Sequence, residues 1–193
     1  MNTPAHLIFA AAAFARPHDR KRTVAAVAGA FAPDLSLYLM AGVSLFVMGL
    51  DPNYVFGSLY YSPAWQQVFK IDNSFLLWGG LAVFCWARGH TNCLIFAASG
   101  LLHLVFDFPL HHDDGRAHFW PLSDWVFHSP LSYWDKGHYG GVIGPIEMAI
   151  SVVFCAFLFR RYQSLRSRAL ILAIAAFQLM PVFIWAFVFS SDA

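Results

Sequence analysis

Four histidines and three aspartates lie within the sixteen residues from His103 to His118. His103 and Asp107 are four residues apart in an apolar run, so on a helix their side chains share one face. Imidazole nitrogen and carboxylate oxygen are ligand atoms that zinc accepts in proteins. Pro109 disfavours further regular helix. The polar residues after it are predicted on a loop that folds back over the first pair: His111, His112, Asp113, Asp114 and His118.

The composition predicts an integral membrane protein. Of 193 residues, 59% are hydrophobic and 12% are charged, whereas a soluble domain carries about 25% charged residues. The mean hydropathy of +0.55 points the same way. The formal net charge of +1 implies no nucleic-acid partner. The three cysteines lie in apolar runs without C-x-x-C spacing, so we expect them to be reduced.

The apolar runs predict an all-α fold, a polytopic transmembrane helical bundle with about five spans. No internal repeat divides the chain, so residues 1–193 are expected to form a single integral membrane domain. Residues 5–15 are apolar but fall short of the roughly 20 residues that a bilayer requires, so they predict a half-helix. A long periplasmic loop is predicted over 109–140. The spans are predicted at 23–50, interrupted at Pro33-Asp34, and at 74–87, 93–108, 142–159 and 169–189.

The basic residues predict how the chain is oriented. Nine of the twelve Lys and Arg residues lie in the turns at 16–22, 88–92 and 160–168. Because positive charge concentrates on the cytoplasmic side of a membrane protein, these turns are expected to face the cytoplasm. The chain is then a multi-pass protein of a bacterial inner membrane, and its histidine-rich loop faces the periplasm.

Four ionisable residues on four segments fall near one depth in this arrangement. A helix rises about 1.5 Å per residue, so roughly 11 residues reach the middle of a hydrocarbon core about 30 Å thick. His6, Asp34, His103 and Glu147 each lie at about that distance from a cytoplasmic turn. An ionisable side chain there is costly unless it is paired, and it indicates function. The half-helix would place His6 beside Asp34 at the bottom of a polar cavity that opens to the periplasm.

Four short motifs in this order carry a resemblance to a known family: Thr3-Pro-Ala-His6, Ala32-Pro-Asp34-Leu, Leu102-His-Leu-Val-Phe-Asp107 and Phe119-Trp-Pro-Leu-Ser123. With them, the chain resembles the YdjM-like family of membrane-bound metal-dependent hydrolases over residues 1–125. The resemblance implies that the ionisable residues of the first three motifs are metal ligands or catalytic groups: His6, Asp34, His103 and Asp107.

The chain departs from that family in one respect. The family usually continues Pro-Asp with Asp-His and carries a later His-Arg-x-x-Thr-His element, whereas here Leu35-Ser-Leu-Tyr38 follows Asp34 and there is no His-Arg element. The loop residues His111-His-Asp-Asp114 and His118 are therefore candidates for the missing metal ligands.

A divalent metal at such a site, zinc first among the candidates, would act as a Lewis acid and lower the pKa of bound water to about 7. Asp107 has an alternative role, because carboxylates often orient ligating histidines. Glu147 or Asp113 is the predicted general base, and Arg116 is expected to hold an anionic substrate group by a forked hydrogen bond. A cavity that reaches into the bilayer suits a membrane lipid or a lipid-linked phosphoester or amide.

Two other functions remain open on the sequence. The buried His and Asp residues would also serve a proton-coupled transporter or channel as a relay. A non-catalytic membrane protein that binds a metal or a partner would need the same ligands. Metal content separates the first and third hypotheses from the transporter, and hydrolysis of a lipid-phosphate panel separates the enzyme from the metal-binding protein.

Overall fold

The computed structural model describes residues 1–188, with side chains for residues 1–180. The described part of the chain is helical and contains no strand. Short helical turns at Pro52–Tyr54, Val55–Leu59 and Lys136–His138 supplement seven helices. These are α1 (Thr3–Phe14), α2 (Arg20–Gly42), α3 (Pro63–Asp72), α4 (Phe75–Ala87), α5 (Thr91–Asp107), α6 (Gly140–Arg161) and α7 (Leu165–Val188).

Three segments are long and apolar enough to cross a membrane: Arg20–Val47, Pro63–Ala87 and Gly140–Arg161. The apolar helices α1 and α5 are shorter. The expectation of an all-helical chain with membrane-length helices is confirmed, and three such helices are found among the described residues. The five predicted spans and the periplasmic position of the long loop are not confirmed. The predicted second span at 74–87 is extended by α3, and Phe189, at the end of the predicted fifth span, lies outside the described residues.

Helix α1 is the half-length helix that the sequence predicts, and it lies at the centre of the fold. It packs against α2, α5, α6 and α7. Ala5, Ile8 and Phe9 are buried on it, and the small side chain of Ala5 lets neighbouring helices come close. Polar groups on α1 are thereby held away from solvent and against several other helices.

Helix α2 runs through Pro33 and Asp34 without the interruption that the sequence predicts. It begins after Asp19, whose carboxylate accepts a hydrogen bond from the backbone N–H of Arg22 at 2.9 Å, as a helix N-cap does. Its backbone touches α5 at Gly29, where an added Cβ would lie 2.1 Å from the carbonyl oxygen of Phe96. This close packing holds α2 in place although Pro33 supplies no backbone N–H.

The long loop (108–139) folds back over the end of α5, as predicted. The backbone N–H of Phe75 donates to the carbonyl of His118 at 2.9 Å, and that of Ser129 donates to the carbonyl of His111 at 3.1 Å. The loop therefore closes one end of the bundle above Asp107.

The expectation of three reduced cysteines is wrong for two of them. Cys85 at the end of α4 and Cys93 in α5 form a disulfide, and Cys155 is free and buried. Spacing in sequence did not indicate the pair, because the turn between α4 and α5 brings residues eight apart together.

Candidate metal centre

Three ionisable side chains from α1 and α5 meet in the interior. His6, His103 and Asp107 are buried, and each offers one ligand atom within 4.8 Å of the other two. His103 and Asp107 share a helix face as their spacing predicts, and they contact each other at 3.1 Å. His6 comes from a different helix, so the packing of α1 against α5 creates the cluster.

The two imidazoles are parallel and point the same edge at Asp107. The rings of His6 and His103 stack with centroids 3.5 Å apart and planes 9° from parallel. Nε2 of His6 lies 2.9 Å from Asp107 Oδ1, and Nε2 of His103 lies 3.1 Å from Asp107 Oδ2. His6 and His103 therefore face different oxygens of the same carboxylate.

The protonation of His103 follows from its other nitrogen. Nδ1 lies 2.7 Å from the carbonyl oxygen of Ala30, which only accepts, so Nδ1 carries the hydrogen. In a neutral imidazole, Nε2 then holds a lone pair. That lone pair faces Asp107 Oδ2 at 3.1 Å and Asp34 Oδ1 at 3.6 Å, and among the described residues Nε2 has no hydrogen-bond partner. Three acceptors facing one another in a buried site require a proton or a cation between them.

Asp34 is the fourth member of the cluster and lies at its edge. Its Oδ2 accepts a hydrogen bond from the Thr3 hydroxyl at 2.5 Å, and the Tyr38 hydroxyl donates to Thr3 at 2.9 Å. This chain of hydroxyls holds one carboxylate oxygen and leaves Oδ1 directed at His103.

His111 enters the site from the long loop. Its Nε2 lies 3.4 Å from Asp107 Oδ1 and its Nδ1 lies 2.8 Å from Asp114 Oδ2. Burial alone would lower the pKa of His111, but the carboxylates of Asp107 and Asp114 outweigh it and raise that pKa. In turn, the pKa of Asp114 is lowered despite burial, because it bonds to His111 and accepts from Trp134 Nε1 at 3.2 Å.

Asp107 also forms an ion pair, through Oδ1, with the amino group of Met1. The same oxygen therefore faces Met1, His6 and His111. A metal ion that binds Asp107 Oδ1 would therefore compete with the Met1 ammonium for the same oxygen.

The donor set fits a small divalent cation. Ligand atoms bonded to one tetrahedral ion at about 2.0–2.2 Å lie roughly 3.4 Å apart. The contacts of Asp107 with His6, His103 and His111, and of His103 with Asp34, run from 2.9 to 3.6 Å. Nitrogen and carboxylate oxygen together suit zinc. The unpartnered Nε2 of His103 supplies the open lone pair that a ligand needs.

A polar cavity of about 200 Å³ opens above the cluster. Asp107 lines it, whereas His6 and His103 do not. Its wall includes Asp34, Asp107, His111, Asp114, Arg116 and His118, and we use the name polar cavity for the space these residues line.

The structure does not bring every predicted ligand to the cluster. His112 bonds through Nδ1 to the carbonyl of Ser129 at 2.6 Å and stacks on His138 at 3.5 Å, apart from the three central residues. His118 lines the polar cavity, but its Nδ1–H donates to the carbonyl of Asn73 at 2.8 Å. Burial lowers the pKa of His118 to about 4, so it is neutral at pH 7.

Neither predicted general base lines the polar cavity. Asp113 is exposed and lies 3.3 Å from His112. Glu147 is buried in α6, where its Oε1 accepts from the Asn2 side chain at 2.9 Å and from Gln178 Nε2 at 2.9 Å. Through these hydrogen bonds Glu147 links α6 to the start of α1 and to α7.

Arg116 does line the polar cavity, as its predicted role requires. Its guanidinium lies over the rings of Tyr60 and Phe69, with the central carbon 4.7 and 4.2 Å from the ring centroids. Nη2 donates to the hydroxyl of Tyr60, while Nη1 is buried without a hydrogen-bond partner among the described residues. Burial raises the pKa of Tyr60 to about 12, so that hydroxyl stays neutral.

The roles of two participants do not follow from the sequence. The sequence marks Asp114 only as one of several loop residues that could bind a metal, whereas its carboxylate contacts His111 Nδ1 at 2.8 Å. Thr3 was only part of a motif, yet it holds Asp34. Asp113 and Asp114 are adjacent and identical in type, so only the path of the loop decides which one turns inward.

Comparison with protein-family models, with curated proteins and with solved structures finds no match to this chain. The likeness to the YdjM-like family therefore rests on the short motifs alone, and the candidate metal centre stands on its own geometry.

Proposed function

We propose that this chain is a membrane-embedded metal-dependent hydrolase whose divalent ion, zinc, is held by His6, His103 and Asp107. The observation that carries the proposal is the lone pair of His103 Nε2. The Ala30 carbonyl fixes it, and it faces two carboxylates in a buried site. A bound cation satisfies these acceptors together. The order of the motifs shared with the YdjM-like family supports the same assignment.

The remaining residues divide into ligand and support roles. Asp34 is the candidate for a fourth ligand, because its Oδ1 is the next atom that faces His103, and in a tetrahedral catalytic site water would take this position. Thr3 orients Asp34 by its hydrogen bond, in the way that outer residues commonly fix metal ligands. A zinc ion held there supplies Lewis acidity and a water of lowered pKa.

His111 and Asp114 take the place of the predicted general base. The Asp114 carboxylate holds Nδ1 of His111 and leaves Nε2 directed at the cluster. His111 is therefore placed to accept a proton from water at the floor of the polar cavity and to return it to a leaving group. Asp113 and Glu147 are assigned no chemical step.

The substrate carries an anionic group. Arg116 reaches the polar cavity, and its Nη1 has no hydrogen-bond partner among the described residues, which suits a phosphate or carboxylate oxygen. Two of the three membrane-length segments, Arg20–Val47 and Pro63–Ala87, contribute residues to the wall of the polar cavity, so we propose a lipid or lipid-linked phosphoester or amide as the substrate class. With the basic turns in the cytoplasm, the polar cavity opens to the periplasm of a bacterial inner membrane.

One observation favours a second function. Asp34, His103, Asp107, His111 and Asp114 follow one another at contacts of 3.6, 3.1, 3.4 and 2.8 Å. A row of alternating carboxylates and imidazoles is the arrangement of a proton relay in a transporter. The relay would place a proton, and not a metal, at His103 Nε2.

The test begins with metal content. Full-length protein purified in detergent is analysed by inductively coupled plasma mass spectrometry and is expected to hold about one zinc per chain. His103→Ala should lose it, whereas the control His128→Ala, an exposed loop histidine, should retain it. Both variants are first compared with the wild type by gel filtration and circular dichroism.

Activity is then measured on phosphatidic acid, a polyprenyl phosphate and an N-acyl amide. Hydrolysis that requires zinc and is lost in His103→Ala supports the enzyme. Zinc without hydrolysis of any of the three classes identifies a metal-binding protein. Protein without zinc that carries protons in liposomes identifies the relay and rejects the hydrolase.

A further inference from the structure

A second cavity lies on the side of α1 that faces away from the metal centre. It is an apolar groove of about 490 Å³ between α1, α2, α6 and α7. We call it the tail groove, and its walls include Leu7, Ala11, Val27, Leu170, Ile174 and Phe177. It follows α1 from Pro4 to Ala15, the residue just after the helix, which is about 17 Å at 1.5 Å per residue.

The tail groove leads into a basic pocket. Thr23, Tyr162 and Ser167 line both, so the two spaces are continuous. The basic pocket, about 340 Å³, is lined by Arg16, Arg20 and Arg161. An apolar channel therefore ends at three guanidinium groups.

Within the described part of the chain, none of the three arginines forms an ion pair with a carboxylate. Asp19, which precedes Arg20, accepts a hydrogen bond from the backbone N–H of Arg22. Arg161 donates to the carbonyl of Ala12 at 3.3 Å, which fixes it at the mouth of the tail groove. Arg16 and Arg20 are exposed on the opposite wall.

We propose that the tail groove and the basic pocket together bind one anionic phospholipid. Its phosphate lies among Arg16, Arg20 and Arg161, and one acyl chain runs along α1. The length of the groove matches the hydrocarbon thickness of one leaflet, about 15 Å. Basic pockets between helices on the cytoplasmic side are known to take anionic head groups, and the hydroxyls of Thr23 and Ser167 lie at the level of the glycerol esters.

This site is separate from the polar cavity. The two cavities share only Pro4 among their lining residues, and α1 stands between them. A lipid bound there would hold α1 against α2 and α7 from the side opposite to His6. It is expected whether or not the chain is a hydrolase.

The experiment measures lipid retained by the full chain. Protein is reconstituted in nanodiscs of equal phosphatidylglycerol and phosphatidylcholine, extracted into mild detergent, and weighed by native mass spectrometry. Wild type should retain phosphatidylglycerol in preference to phosphatidylcholine. Arg16→Gln combined with Arg20→Gln should lower that retention about tenfold, since each basic residue near the surface attracts anionic lipid.

The matched control is Lys21→Gln combined with Arg166→Gln, which removes two exposed basic residues that do not line the pocket. It should keep the wild-type retention. A second variant, Ala173→Trp, fills the tail groove from α7 and should also lose the lipid while all arginines remain. Equal retention of both lipids by the wild type, or equal losses in the control and in the arginine variant, would overturn the proposal.

Discussion

Asp107 decides the chemistry of the site at the scale of single residues. Its oxygens face His6, His103 and His111 as well as the amino group of Met1. A buried carboxylate is tolerated when positive charge or hydrogen-bond donors surround it. Asp107 already holds one cation, the Met1 ammonium, with which a metal ion would compete, and the two stacked imidazoles supply nitrogen ligands on the same side.

Asp107→Asn keeps the shape of the side chain and removes its charge. We expect zinc content at a fixed free-zinc concentration to fall at least about tenfold, because an amide is a far weaker ligand than a carboxylate. The measurement is zinc competition with a chromophoric chelator. Asp124→Asn, on an exposed aspartate paired with Lys70, is the control. Unchanged zinc affinity in Asp107→Asn would remove Asp107 from the ligand set.

The neutral His118 predicts a pH dependence of stability. Its pKa is lowered to about 4 by burial, against 6.5 in the unfolded chain. As pH falls from 6.5 towards 4, the unfolded state binds a proton that the folded state does not. The free energy of unfolding therefore decreases through that window, by about 3 kcal/mol at most. The stability that depends on a neutral His118 is fully present above pH 6.5.

His118→Phe removes that contribution. At pH 7 the variant should be less stable than the wild type, by about 1 kcal/mol, because Asn73 loses a hydrogen bond. At pH 4.5 the difference should shrink or reverse. Chemical denaturation in detergent micelles at both pH values measures it, and groups that titrate alike in both proteins cancel. A difference that does not change with pH would contradict the pKa assigned to His118.

At the scale of helices, the contact of α2 with α5 positions two ligands at once. Gly29 lets the helices approach until its backbone meets the carbonyl of Phe96. One residue further along α2, the carbonyl of Ala30 receives Nδ1–H of His103. The separation of the two helices thus sets both the orientation of His103 and its distance from Asp34 on α2.

Gly29→Val should force α2 and α5 apart, since even a Cβ would lie 2.1 Å from the Phe96 oxygen. We expect a loss of stability of about 3 kcal/mol or more together with reduced zinc content. Gly42→Ala, on the same helix with no atom within 4 Å of the added Cβ, is the control. It should be neutral or stabilising. Thermal unfolding in detergent reports both, and equal behaviour of the two variants would show that the close approach is unimportant.

At the scale of the whole molecule, Glu147 joins the start of the chain to its last helices. Its Oε1 accepts hydrogen bonds from the backbone and side chain of Asn2 and from Gln178. These contacts fix the position of α1, the half-length helix, against α6 and α7. This structural role accounts for the burial of the Glu147 carboxyl group.

Glu147→Gln separates that role from a catalytic one. The amide keeps an acceptor oxygen, so stability and activity should remain near the wild-type values. Glu147→Leu should lose about 2 kcal/mol or more, because the donors of Asn2 and Gln178 stay buried without partners. Turnover on the substrate identified by the panel, with denaturation curves, gives both readings. A general base would lose its activity in Glu147→Gln with stability intact.

The orientation in the membrane is tested by two single cysteines. Ser123→Cys in the long loop should react in intact cells with a maleimide that cannot cross the inner membrane, and Ser164→Cys in the basic turn should not. Both are introduced into a chain with its own cysteines replaced by alanine. Labelling of position 164 alone would show the opposite topology, in which the polar cavity does not open to the periplasm.

The features that follow from local periodicity could be predicted from the sequence. A repeat of 3.6 residues puts His103 and Asp107 on one face, and Pro109 ends the helix soon after. Local pattern failed at Pro33, because the packing of α2 on α5 outweighs the proline. It failed also for Cys85 and Cys93, whose pairing depends on the turn between two helices.

By itself, then, the sequence determined that the chain is helical, that it contains apolar segments long enough for a membrane, and which residues could bind a metal. Only the tertiary structure decided that His6 meets His103 and that Asp114, not Asp113, turns inward. The physical reason is that helix periodicity acts over a few residues. The distance between residues of different helices depends on how closely their backbones pack, as Gly29 against Phe96 illustrates.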